Sequence, residues 1–509
     1  MSAEPLPRSA AGGRNPWLVA CVASIATFME VLDTTVASVS LWHIAASMGV
    51  SYQEALWVIT SYLVANALVL PMSGWLANWL GRKRYYMGSV ALFTLASLLC
   101  SVAPSLEWLL VARVLQGIGG GGLAPVEQSM LVDSFNERSR PKAFALYGVT
   151  VLFAPAIGPL IGGLITDALS WHWVFLINVP VGLLSLILCH RFIDEPPLLR
   201  EERQQRRARG VQLDWQGLLL VVAGFAALQL CLDRFERYDG FDSPFIITTA
   251  LIALACLTFL PLWEWFHPAP IVDVRLFCHR NFSLGAALMF LVGLLVVSTT
   301  QLLPQMAQEL LGYDAWTAGL TLGAGGFFIL LSMMVTGALA SRVRRPYWLI
   351  VLGLVISGLS LWHFASLTPQ VDFATLMWAR VFQMIGIPLI LIPVASLSYV
   401  GLPPEKSSEA SALSTLLRNL GGSIGIAWVA NALHQRSHLH YARLSESAST
   451  GINPDTLGHA AWSQASFMSY MDIYWLLGAI WLALCWLPFL FHIRQSDLDR
   501  VYKSQPEEA

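Results

Sequence analysis

The chain has 509 residues, of which 56% are hydrophobic and only 12% charged, with a formal net charge of −2. Soluble domains carry about 25% charged residues, so a soluble globular chain is excluded, and the near-neutral balance gives no electrostatic case for nucleic acid as a partner. The apolar residues fall into runs near the length of one bilayer crossing, about 17–25 residues, as expected of an all-α membrane protein.

In chain order, a polar tail (1–15) with Arg8 and Arg14 comes first. The apolar run after it is too long for a signal-peptide core and holds two carboxylates, so it reads as a retained first span. Fourteen spans are predicted in all. The first six, at 16–40, 54–78, 85–103, 107–132, 142–167 and 173–193, form an N-terminal half (16–193). A basic connector (194–213) containing "REERQQRRARG" leads to two compact spans, 215–232 and 244–263, within 214–266. The last six, at 281–303, 315–340, 346–366, 373–399, 409–433 and 473–493, form a C-terminal half (281–493), and a tail (494–509) follows. With both termini cytoplasmic, most of the 30 Lys and Arg residues fall on the inner side. The outer side holds only Arg234, Arg237, Arg436 and Arg443. This is the positive-inside pattern, and a wrong span count would scramble it.

The two halves share a plan. "GWLANWLGRKR" at 74–84 matches "GALASRVRR" at 337–345, "VARVLQGIGG" at 111–120 matches "WARVFQMIGI" at 378–387, and "NERSRPKA" at 136–143 loosely matches "PPEKSSEA" at 403–410. The order and the spacing are nearly preserved. Such repeats describe transporters whose substrate binds near the bilayer midplane, between the halves.

Charges inside spans are costly and face an interior or a wet cavity. Glu30 and Asp33, in "TFMEVLDTTVAS", share one helical face. They are candidates for proton coupling or substrate contact; the plainer reading is a hydrogen bond to a neighbouring helix. Arg113 is a permanent cation in the fourth span that can act on a nearby acid or simply anchor backbone carbonyls. Arg380 is its repeat counterpart, and Arg418 is a lone cation in the thirteenth span. "GIGGGG" (117–122) lacks the Lys-Ser/Thr of a phosphate loop and reads as close helix packing. "APAIGPLIGG" (154–163) is expected to bend its helix and to tighten contact with the facing half. His434, His438 and His440 occupy the segment 434–471, expected to be the longest outer loop and the best place for a partner to touch; without a carboxylate or cysteine beside them in sequence, no metal site is expected. The seven cysteines, at 21, 100, 189, 231, 256, 278 and 485, show no disulfide or metal spacing. No cofactor is implied, and no nucleophile–base pair or metal cluster suggests an enzyme.

These residues resemble the major facilitator superfamily, and within it the fourteen-helix drug:proton antiporters of the EmrB/QacA type, closest to the EmrB branch. The loop pattern G-x-L-A-D-x-x-G-R-K is met by Gly74, Leu76, Ala77, Gly81, Arg82 and Lys83, with Asn78 in the Asp place. R-x-x-Q-G-x-G is met by Arg113, Gln116, Gly117 and Gly119, and G-P-x-x-G-G by Gly158, Pro159, Gly162 and Gly163. "LDTTVASVS" matches the first-helix pattern, and "WHWVFLINVPVG" carries His172 in an Arg place. The resemblance implies two six-helix halves with two extra central helices and proton-driven efflux of lipophilic drugs or toxic compounds across the inner membrane. It also implies a periplasmic adaptor (membrane fusion) protein and an outer-membrane channel as partners. A dedicated exporter of an endogenous metabolite or siderophore would share every motif. Asn78 leaves the inner gate without an expected carboxylate.

Overall fold

A computed structural model describes residues 15–194, 200–201, 214–235, 238, 240–268, 270–313, 315–343, 345–447 and 454–491. Both tails and most of the basic connector lie outside them. Every regular element among the described residues is helical. Eleven helices there are long and apolar enough to cross a bilayer.

The first half comprises α1 (Pro16–Val39), α2 (Trp57–Leu80), α3 (Arg82–Ser101), α4 (Leu106–Gly120), α5 (Leu123–Ser134), α6 (Arg140–Ala168) and α7 (Asn178–Phe192). Two central helices follow, α8 (Trp215–Arg234) and α9 (Pro244–Phe266). The second half comprises α10 (Arg280–Glu309), α11 (Ala315–Ala340), α12 (Tyr347–Ala365), α13 (Phe373–Ser398), α14 (Ser407–Ser447) and α15 (Pro454–Ala483). α3, α6 and α14 stand where the third, fifth and thirteenth spans are predicted but are not among the eleven. α3 opens with three basic residues, and α14 ends in "HQRSHLHYARLSES", which dilutes their apolar character.

Local chemistry sets the helix ends that matter. Asn15 caps α1 by accepting from the Trp17 N–H at 3.0 Å, with Pro16 in the first turn. Gly81 turns the chain between α2 and α3 at φ 97°, a conformation that favours glycine. The predicted fourth span breaks at Gly121–Gly122 into α4 and α5. The polar end of α14 and the start of α15 are helical, so the expected outer loop 434–471 is helical over 434–447 and 454–471. Its polar residues suit solvent as readily on a helix as on a loop, and span length alone does not reveal that a helix continues past the bilayer.

α9 is the outermost helix, with 22% of its apolar window buried, and α13 the innermost, with 83%. α9 packs on α8, and α8 on α2. The second contact is fixed by Arg234, whose guanidinium lies 4.0 Å from the Trp57 ring and donates to Thr60 Oγ1 at 3.1 Å. The two halves meet through α2 and α5 against α14 and through α6 against α11 and α13. The touching residues, among them Gly74, Asn78, Ala145, Gly337 and Glu409, belong to the basic-loop end. At the opposite end a cavity of about 820 Å³ opens between α10, α14 and α15, lined by Gln301, Gln305, Glu309, His434, Trp462 and Tyr470 among others.

Candidate functional site

The site begins as a polar stripe on α1. Ser24, Thr27, Glu30 and Asp33 follow at spacings of three, so they share a face that drifts slowly round the helix. That face turns into the first half.

Asp33 is fully committed. Its Oδ2 accepts from Arg113 Nη1 at 2.6 Å, and its Oδ1 accepts from Gln116 Nε2 at 2.9 Å and Asn178 Nδ2 at 2.6 Å. Arg113 also donates to Gln116 Oε1 at 2.7 Å and to the Val58 carbonyl at 3.0 Å, with its guanidinium 4.3 Å from the Tyr62 ring. Gln116 donates to Ser97 Oγ at 2.8 Å. The side chains of Arg113 and Asp33 are 1% and 0% exposed. The wet chamber expected around Asp33 is therefore absent in this conformation, and its carboxylate sits in a sealed, hydrogen-bonded ion pair. Breaking such a pair from one side costs about 3–5 kcal/mol.

Glu30 differs. It is half-buried. Its Oε1 accepts from Asn66 Nδ2 at 3.1 Å and from the Tyr62 hydroxyl at 3.4 Å. Its Oε2 has no hydrogen-bond partner among the described residues. The charge that reaches it from the facing half is Arg418, which lies within electrostatic range and donates to the Tyr147 hydroxyl at 3.5 Å. Glu30 thus stands outside any ion pair among the described residues, whereas Asp33 is locked into one.

The glycine motifs shape this environment. A methyl on Gly120 would crowd Glu30 and the Tyr62 hydroxyl, and one on Gly117 or Gly119 would strike the backbone of α2 or α3. Gly158 and Gly162 lie against Thr35 and Val36, just beyond Asp33. These two glycines therefore seat α1 within their own half, not the facing half as expected; the contacts of α6 with the facing half run through Ala145 and Gly148. The Pro159 side chain lies outside the described residues, and nothing lies within 4 Å of a methyl on Gly163.

At the basic-loop end, a methyl on Gly74 would meet the Glu409 backbone. Arg82 pairs with Asp133 and donates across the interface to Ser407 Oγ at 2.9 Å. Lys83 donates to the His190 carbonyl at 2.9 Å within its half. Asn78 donates to Glu409 Oε1 at 3.1 Å. The carboxylate missing from position 78 is thus supplied by the other half. Lys406 pairs with Asp273 and lies 3.4 Å from Glu409. Burial draws its pKa down, but the two carboxylates outweigh that and leave it raised, so its charge is secure.

Arg380 donates to Gln383 Oε1 and Thr300 Oγ1, each at 2.7 Å, with no carboxylate partner among the described residues. His440 and Arg436 share Asp472 at 2.9 and 2.5 Å, a partner distant in sequence. Among the described residues no group of His, Cys, Asp and Glu is arranged to hold a metal. Sequence reasoning missed Glu127 on α5, a fully buried carboxylate whose Oε1 accepts from Ser24 Oγ at 2.6 Å. Its signal was available: an acid inside an apolar run, in "APVEQSM".

Comparison with known proteins places these features. The Major Facilitator Superfamily model matches residues 23–426. The chain is 36% identical over 431 residues to the multidrug export protein EmrB of Escherichia coli K12, covering 85% of this chain and 82% of that one. It is 34% identical over 422 residues to the fatty acid resistance protein FarB of Neisseria gonorrhoeae, covering 83% and 82%. The proton:xylose symporter XylE shares the fold at a TM-score of 0.61 and 15% identity, over 94% of this chain and 99% of that one.

Proposed function

The chain belongs to the Major Facilitator Superfamily, and on that premise we propose that it exports lipophilic or otherwise toxic small molecules across the inner membrane in exchange for protons. Fourteen spans with both termini in the cytoplasm complete the reading. Export is supported by relatives named for drug and fatty acid resistance that align over more than four-fifths of their length. Proton exchange is supported by one observation above all: Glu30, a half-buried carboxylate with an oxygen unpartnered among the described residues, lies within electrostatic range of Arg418 on the facing half.

The geometry suggests an order of events. With the basic-loop end closed, Glu30 takes a proton from the outer side. Closing the outer end and opening the inner end exposes it to the cytoplasm. Cargo then enters beside it, and the proton leaves. Each proton crossing 100 mV supplies about 2.3 kcal/mol. Asp33, with Arg113 on α4 and Asn178 on α7, holds α1, α4 and α7 in register while α1 carries Glu30 between environments. Arg418 can meet the charge of an acidic cargo, and a protonated Glu30 would tolerate apolar ones. No step calls for enzymatic chemistry.

An adaptor protein, with an outer-membrane channel beyond it, fits the outer ends of α14 and α15. α14 has 41 residues, about 60 Å at 1.5 Å per residue, against a hydrocarbon core of about 30 Å.

The test is proton release from inside-out vesicles on addition of tetraphenylphosphonium or dodecanoate, with vesicles lacking the protein as the baseline. Release that depends on the protein supports the exchange. Uptake of either compound into these vesicles without proton movement overturns it.

A further inference from the structure

We propose that Glu127 is a second proton-binding site, the inner station of a relay that takes the proton from Glu30 toward the cytoplasmic end. The inference goes beyond proton exchange at Glu30 and rests on it.

Glu127 is 0% exposed and lies on α5, on the basic-loop side of the glycine break. No Lys, Arg or His pairs with it among the described residues. The groups facing it are hydroxyls: Ser24, which donates to Oε1 at 2.6 Å, and Thr27, both on α1. The phenols of Tyr86 on α3 and Tyr147 on α6 lie within electrostatic range. α2, α4 and α14 also pack on α5, and α14 carries Arg418, which donates to the Tyr147 hydroxyl at 3.5 Å and not to Glu127. Glu127 Oε2 and Thr27 Oγ1 both lack a hydrogen bond of ordinary geometry. A buried carboxylate without a cation beside it is costly in its charged form, whereas a carboxylic acid is not.

The route is laid out on one helix. Ser24 touches Glu127, Glu30 lies two spacings of three further along α1, and Thr27 stands between them. The separation from Ser24 to Glu30 is about 9 Å along the axis, too far for direct transfer but divided by the Thr27 hydroxyl. Tyr86 feels both carboxyls and donates to the Ala23 carbonyl at 2.5 Å, which holds its hydroxyl beside the same stretch. In the transfer the Thr27 oxygen accepts the proton from Glu30 as its own hydrogen passes to Glu127. One O–H bond breaks for each that forms, and the net change is a proton moved from Glu30 to Glu127. Asp33, one spacing outward on the same stripe, is instead engaged by Arg113 at 2.6 Å.

The experiment combines infrared pH-difference spectroscopy with transport in reconstituted proteoliposomes. The carboxylic acid C=O stretch reports protonated buried acids directly. Wild type is expected to show two such titrating components, with E30Q and E127Q each removing one. E127Q keeps an acceptor for Ser24, so exchange of labelled for unlabelled tetraphenylphosphonium without a pH gradient is expected to persist, while gradient-driven accumulation is mostly lost. If E127Q does not fold, S24A keeps the carboxyl and must shift its C=O component, because the Ser24 hydrogen bond is removed. A carboxyl spectrum unchanged by E127Q and S24A, or wild-type accumulation by E127Q alongside failure of E30Q, overturns the relay and leaves exchange at Glu30 standing. Absence of gradient-driven accumulation in wild type would overturn both.

Discussion

Two copies of one motif have come to hold their arginine differently. In the first half Arg113, Gln116 and Asp33 form a closed cluster; at one constant spacing along the chain the second half presents Arg380, Gln383 and Thr300. Both arginines donate to a glutamine three residues on at 2.7 Å. Only the first has a carboxylate partner among the described residues. Arg380 is met by threonine hydroxyls instead, and its Nε has no partner. The comparison teaches that both halves keep the arginine–glutamine pair as a donor platform, while the acid is found in the half whose opening helix also carries Glu30.

The comparison can be broken most sharply at Arg113. R113Q strands Asp33 as an unpaired buried anion, and a loss of about 3–5 kcal/mol is expected, read as a large drop in melting temperature of the purified protein. Adding D33N to R113Q should recover part of that loss, since both charges are then gone. G158A follows: its methyl overlaps Thr35, and overpacking of about 1–3 kcal/mol should displace α1 beside the cluster, whereas G163A, with open space, should melt like wild type. R380Q removes donors to neutral partners, and a cost of about 1–2 kcal/mol is expected, smaller than for R113Q. T300D sharpens the contrast by giving the second copy its acid: in that background R380Q should become the more damaging change, seen in a double-mutant cycle of melting temperatures. The smallest effect is at the inner gate, where N78D sets a carboxylate against Glu409. The expected loss is roughly 0.2–1 kcal/mol, reversed by E409Q.

Much of this was legible in the sequence, and what was not has physical causes. Asp33, Glu30 and Arg113 stand out because ionised groups are rare in spans, and the repeat gave the two halves. That Asp33 would be sealed by Arg113, Gln116 and Asn178 is a property of three helices meeting, and no local pattern encodes which acid on a helical face receives a cation. Glu127 was readable as an intramembrane acid, yet the glycine run just before it reads as packing and drew the segment with it. Gly158 and Gly162 announce close approach without naming the partner, so their contact with α1 had to be seen. Asn78 looked like a missing charge because the compensating carboxylate, Glu409, stands far away in sequence on the opposite half.

The central claim is that Glu30 carries the exchanged proton while Asp33 remains an ion-paired fixture. Proton release evoked by tetraphenylphosphonium in inside-out vesicles, compared between wild type and E30Q at equal amounts of folded protein, tests it most directly. The account predicts release from wild type and none from E30Q. Undiminished release from E30Q would contradict it.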